Sequence, residues 1–121
     1  MTLTVLAVDD SRTMRELLKR ALADAGFTVF VAVDGVDGLD VLGACAPDVV
    51  ITDINMPRMD GFQFIEEVRS GAVSRQVPIL ALTTETAPEL RQRARAAGAT
   101  GWIVKPFDSE KLASVIRRVA A

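Results

Sequence analysis

The chain has 121 residues, half of them hydrophobic, which suits one domain with a substantial core and leaves little room for a second. Fourteen basic residues against sixteen acidic ones give a net charge of −2, which argues against a nucleic-acid binder. No apolar run nears membrane-spanning length, the N-terminus lacks a charged leader, and the single cysteine excludes an internal disulfide, so a cytoplasmic protein without membrane insertion is expected.

In chain order, the run Thr4–Val8 reads as a buried strand. Met14, Leu17, Leu18, Ala21 and Leu22 then follow the spacing of one buried helical stripe, which Gly26 is placed to stop. Thr28–Ala32 alternates with more polar neighbours and reads as an edge strand. Val36–Cys45 is the least regular helix, weakened by Gly38 and Gly43; Cys45 within it reads as a small packing residue rather than a reactive thiol. Val49–Thr52 is a third strand, and Phe62, Ile65 and Val68 mark the helix after it. The segment from Ser70 to Gln76 reads as a mobile surface loop. Pro78–Leu82 is a fourth strand, followed by a helix with Pro88 in its first turn and Gly98 at its end. Gly101–Val104 is the fifth strand. Ser109 is the expected N-cap of a last helix bearing Leu112, Val115, Ile116 and Val119. Strands alternating with helices predict a parallel sheet with right-handed crossovers and helices on both faces.

The polar residues fall where such a sheet would put a site. Asp9 and Asp10 follow the first strand, Asp53 the third, Thr83 and Thr84 the fourth, and Lys105 the fifth. Ligands of open parallel sheets bind at the carboxyl ends of the strands, so these groups should converge. Two carboxylates about 4 Å apart repel by roughly 4 kcal/mol at an effective dielectric near 20. Three together demand a cation or a raised pKa. With no histidine and one cysteine, the donors are oxygens, which favours Mg²⁺, with Mn²⁺ or Ca²⁺ as alternatives. An aspartate beside such a metal suits phosphoryl transfer to its own carboxylate.

The stretches Val8-Asp-Asp-Ser-Arg-Thr-Met14, Asp34-Gly-Val-Asp-Gly-Leu39, Thr52-Asp-Ile-Asn-Met-Pro-Arg-Met-Asp-Gly61, Leu82-Thr83 and Gly98-Ala-Thr-Gly-Trp-Ile-Val-Lys-Pro-Phe107 carry a likeness. In this order and spacing they resemble the receiver domains of two-component response regulators, and most of all the CheY-like single-domain type. The resemblance spans residues 1–121 as one receiver domain without an output domain. It implies a flavodoxin-like, doubly wound (βα)₅ α/β fold with strand order 2-1-3-4-5.

The resemblance also implies roles. Asp53 would accept the phosphoryl group. Asp10 would ligate Mg²⁺ directly, Asp9 would stand close by or act through water, and Asp53 and the backbone carbonyl of Asn55 would complete the protein ligands. Lys105 and Thr83 would contact phosphoryl oxygens, and the bond before Pro106 would be cis. Gly61 would permit the turn into the third helix. Asn55 and Glu85 would flank the path of an attacking water and tune the phosphoryl lifetime. Trp102, where the family more often has Tyr or Phe, would couple to Thr83 and reshape the surface of the fourth helix, fifth strand and fifth helix. Arg91, Arg93 and Arg95 on the fourth helix read as a solvated face, with Arg91 and Arg95 on one side.

The expected partners are a histidine kinase (CheA-like) as phosphodonor, a flagellar motor switch protein as target and a phosphatase acting on the phosphoryl group, the chain itself being a monomer. A phosphorelay, a cell-cycle pathway or a phosphate sink stands as an alternative. The reading is of a switch with only self-catalysed phosphorylation and dephosphorylation, not of an enzyme. A metal-dependent phosphohydrolase would want a second acid two residues after Asp53, where Asn55 stands. A flavin carrier would want a Ser/Thr-rich loop where Asp9 and Asp10 stand.

Overall fold

A computed structural model describes residues 2–72 and 74–121. Five strands, β1 (Thr4–Val8), β2 (Thr28–Ala32), β3 (Val49–Thr52), β4 (Ile79–Thr83) and β5 (Gly101–Val104), alternate with five helices. These are α1 (Arg12–Asp24), α2 (Gly35–Cys45), α3 (Gly61–Ser70), α4 (Pro88–Ala97) and α5 (Ser109–Ala120). The strands are all parallel, in the order β2-β1-β3-β4-β5. The surface segment expected from Ser70 to Gln76 contains Val73, which lies outside the described residues; Ser70 itself ends α3.

The near-continuous apolar strands are explained by the two faces they serve. Val5, Ala7, Val49, Ile51, Leu80 and Leu82 point to a core completed by Leu18 and Leu22 of α1 and Leu112 and Ile116 of α5. Leu6, Val8, Val50 and Ile79 point the other way, onto Leu42 of α2 and Phe64, Ile65 and Val68 of α3. Strand side chains alternate in direction, so only a strand covered on both sides must be apolar at every position. β2 departs from this, with Thr28 and Phe30 exposed, as befits its place at the sheet edge. Cys45 is half-buried against the second core and burial raises its thiol pKa, which suits a packing role.

Some expectations need correction. Leu17 does not join the buried stripe of α1; it is 51% exposed. The helix advances about 100° per residue, so with Leu18 and Leu22 centred on the sheet Leu17 swings to the flank. The cap of α5 is Asp108, whose carboxylate accepts from the Lys111 N–H at 3.0 Å, and Ser109 is the first helical residue. Aspartate caps as well as serine, and here it comes first in the chain. Thr83 is the last residue of β4 rather than a residue beyond it. α2 forms in spite of its glycines, with Asp34 capping it through the Asp37 N–H.

Candidate functional site

Backbone pairing carries the polar residues to one sheet edge. One residue past each strand end, the Asp9 N–H donates to the Ala32 carbonyl at 3.1 Å, the Asp53 N–H to Val8 at 2.9 Å, and the Lys105 N–H to Thr83 at 2.8 Å. The register of all five strands therefore fixes where these side chains start.

Their ends meet. Lys105 Nζ lies 2.9 Å from Asp9 Oδ2 and 3.2 Å from Asp53 Oδ2. Asp9, Asp10 and Asp53 each offer a carboxylate oxygen, and the three oxygens lie within 4.8 Å of one another. Asp9 is 1% exposed, and both its oxygens are engaged: Oδ1 accepts from the Ser11 N–H at 2.9 Å and Oδ2 from Lys105. Asp10 is exposed, and no hydrogen bond to its carboxylate is found among the described residues. Asp53 Oδ1 accepts from the Ile54 N–H at 2.7 Å.

The charge balance is uneven. Burial raises the Asp53 pKa above the ordinary carboxylate value, and the charge of Asp9 adds to this. The Ile54 N–H and Lys105 pull the other way without cancelling it. Burial opposes the charge on Lys105, but its hydrogen bond to Asp9 and the nearby charge of Asp53 outweigh that and raise its pKa. One ammonium thus serves two carboxylates, with a third at hand. An all-oxygen set of this kind, with Asp10 left open to solvent, fits a hard divalent cation.

The remaining candidates form a second group beside the first. Thr83 is fully buried, and its Oγ1 accepts from the Glu85 N–H at 3.3 Å. The Glu85 carboxylate accepts from Asn55 Nδ2 at 3.0 Å. Trp102 is half-buried against Ile54, Phe62, Ala81 and Ala94, and its Nε1 donates to the Glu85 carbonyl at 3.2 Å. Asn55 and Glu85, read from sequence as flanking a path for water, are thus bonded to each other. The Lys105–Pro106 peptide bond is cis. Arg91, Ala94, Arg95 and Trp102 line a groove of about 240 Å³ between α4 and β5.

Gly61 is needed for a different reason than a turn. A Cβ there would stand 2.3 Å from the Asp53 carbonyl oxygen and 2.7 Å from Ile54 Cα, so only glycine lets α3 begin against the backbone of Asp53.

Sequence reasoning gave no role to several neighbours. Arg15 Nη1 donates to the Asp9 carbonyl at 2.8 Å, and the buried Thr52 hydroxyl donates to the Asp53 carbonyl at 2.8 Å. Arg58 forms a two-pronged ion pair with Asp34. Of these, only Asp34 carried a local signal, an aspartate followed three residues later by Asp37 at a helix start.

Known proteins resemble this arrangement throughout. The family model for the response regulator receiver domain matches residues 5–117. The chemotaxis protein CheY4 of Vibrio cholerae is 46% identical, with a TM-score of 0.93 over 98% of this chain and 99% of that one. A sensor histidine kinase receiver domain from Pseudomonas aeruginosa, described with a magnesium ion coordinated in its active site cleft, is 25% identical with a TM-score of 0.90, covering 99% and 98% of the two chains. Among curated relatives, the sensor histidine kinase CheAY of Helicobacter pylori is 38% identical over 94% of this chain, and the response regulator MprA of Mycobacterium bovis is 38% identical over 97%. The chain spans only 14% of the former and half of the latter. Receiver domains are signalling domains that take phosphate from histidine kinases, and among the described residues no helix here is long and apolar enough to cross a membrane. With the five-stranded 2-1-3-4-5 sheet and a family match over nearly its whole length, the chain belongs to the receiver-domain family of two-component response regulators.

Proposed function

We propose that the chain is a phosphorylation switch in which Asp53 accepts a phosphoryl group from a CheA-like histidine kinase and the α4–β5–α5 surface passes the signal to a flagellar motor switch protein. The observation that carries this reading is Lys105 held between Asp9 and Asp53, with Asp10 open beside them. The chemotaxis assignment draws its support from the 46% identity to CheY4 along the whole chain.

Asp10, Asp53 and the Asn55 carbonyl would hold Mg²⁺, with Asp9 at its flank. The bound ion would supply positive charge to the phosphoryl oxygens as the group transfers. The chain's own part is then clear. An Asp53 carboxylate oxygen attacks phosphorus in line with the P–N bond of a phosphohistidine; that bond breaks as the P–O bond forms, and the imidazole leaves with its electron pair. Lys105 moves from carboxylate to phosphoryl oxygen, keeping its charge in the site. Thr83 releases the Glu85 N–H and turns its hydroxyl to a second oxygen. Because Trp102 also binds the Glu85 segment, the move reaches β5 and the α4 groove. This is a two-state shift biased by one local charge.

The test is incubation with Mg²⁺ and acetyl phosphate, or with a phosphorylated kinase, for the wild type and Asp53→Asn. The wild type should gain one hydroxylamine-sensitive phosphoryl group and the variant none. Equal labelling of the variant would overturn the reading. Beryllofluoride with Mg²⁺ should change the emission of Trp102, the single tryptophan. An unchanged spectrum removes the Trp102 arm of the switch. Capture of the activated protein by a motor switch protein separates the chemotaxis assignment from other receiver roles.

A further inference from the structure

The segment joining β3 to α3 is closed at two points. At its base the Gly61 N–H donates to the Ile54 carbonyl at 2.8 Å. Near its tip Arg58 grips Asp34 with a fork: Nε to Oδ2 at 2.6 Å and Nη2 to Oδ1 at 3.1 Å. Asn55 lies between the two closures.

The tip is strained. The Met59 N–H donates to the Pro57 carbonyl at 2.7 Å, which makes a three-residue γ-turn centred on Arg58, and Arg58 has φ 66°. That left-handed turn is rare for a residue with a side chain. Such a conformation persists only when its surroundings over-determine it. Here they do. The Asp34 side chain is 5% exposed and is itself fixed, since Oδ1 also caps α2 through the Asp37 N–H at 2.9 Å. The backbones approach as well: a Cβ on Gly35 would come within 2.9 Å of the Met59 carbonyl oxygen. The Arg58 side chain is 60% exposed, so the pair adds little to stability by charge alone; its two-pronged geometry is what it contributes.

We propose that Arg58 and Asp34 are positioning residues for the metal: their ion pair holds the strained turn after Asn55 and so presets the Asn55 carbonyl toward the acidic pocket. This rests on the functional reading above. Groups behind a metal's direct ligands typically change affinity 10- to 100-fold when removed. Acting through three residues of backbone, this pair should matter less.

The experiment is calorimetric titration of the metal-free protein with MgCl₂. Arg58→Ala and Asp34→Asn should each weaken binding about 3- to 10-fold. The double variant should be no weaker than the weaker single, because one contact is lost either way. Arg58→Lys should recover part of the loss. In the absence of metal, amide exchange at Met59 should quicken in Arg58→Ala. Labelling from acetyl phosphate should slow at low Mg²⁺ and return to the wild-type rate at saturating Mg²⁺. Unchanged Mg²⁺ affinity in Arg58→Ala, or a labelling defect that saturating Mg²⁺ leaves in place, overturns the positioning role while the switch stands. A wild type that binds no Mg²⁺ overturns the functional reading, and the positioning role falls with it.

Discussion

Lys105 bonds two carboxylates and has a third nearby, whereas Arg58 bonds one. Lys105 directly follows β5 and Arg58 lies in the segment between β3 and α3, and the two sites behave oppositely. In the pocket of Asp9, Asp53 and Lys105 the charges do not balance, and burial holds Asp53 above its ordinary pKa. In the Asp34–Arg58 pair they match one to one, and the hydrogen bond from Arg58 holds Asp34 below its ordinary pKa. The first site is poised to take another cation or exchange a ligand; the second is already satisfied. A charged group that is badly matched in the resting state marks where chemistry can happen, and a well-matched one marks what holds that place still.

The largest effect should come from taking away the ammonium that bonds both Asp9 and Asp53. The Lys105 side chain is 11% exposed and that of Asp9 2%, so Lys105→Met leaves charges in a poorly solvated place. Breaking a buried pair by removing one partner costs about 3–5 kcal/mol. The partial opening of the pocket at Asp10 should bring the loss to about 2–3 kcal/mol, read as a fall in urea midpoint at neutral pH. Millimolar Mg²⁺ should restore more stability to this variant than to the wild type, because the ion replaces the missing charge. Equal rescue in both proteins would mean that Lys105 and the metal do not share a site.

The difference between the two sites also shows what a sequence can carry. The five strands were legible because each is an apolar run bounded by turn residues, and the edge position of β2 because it alternates. The convergence of Asp9, Asp10, Asp53 and Lys105 was legible because strand ends share an edge in any parallel sheet. Arg58 was not legible: its partner lies 24 residues away, and the contact exists only with a left-handed backbone that the sequence Pro57-Arg58-Met59 does not announce. The physical reason for Gly61 at the start of α3 was not legible, because close approach to Asp53 depends on tertiary packing. The exposure of Leu17 was hidden because a stripe drawn through five apolar residues is wider than the face α1 buries.

A middle-sized effect should have the opposite sign. Asp53→Asn keeps an oxygen for the Ile54 N–H but removes one of the competing negative charges, leaving Lys105 to Asp9. The metal-free variant should be more stable than the wild type by about 1 kcal/mol, a rise in Tm of roughly 3–5 °C for a domain of this size. Asp34→Asn, by contrast, should destabilise, since it breaks a matched pair. If both variants shift Tm in the same direction, the contrast between the two sites is lost.

The smallest effect is the most discriminating, because the two carboxylates have opposite pH signs. Asp53 has a raised pKa in the fold, so the folded protein holds that proton more tightly than the unfolded chain does. Its contribution to stability is complete below the ordinary carboxylate pKa of about 4 and is lost as pH rises through its own higher value. Asp34 has a lowered pKa, so its contribution is complete above about pH 4 and is lost as pH falls through its own lower value. In thermal melts without divalent metal, Asp53→Asn should therefore flatten the change of Tm between neutral pH and about pH 4, and Asp34→Asn should flatten the fall below it. Adding Mg²⁺ should reverse only the first, because the ion requires the ionised carboxylate and so favours high pH at Asp53. Asp34 lies outside the acidic cluster of Asp9, Asp10 and Asp53, and its acid limb should keep its shape with the ion present.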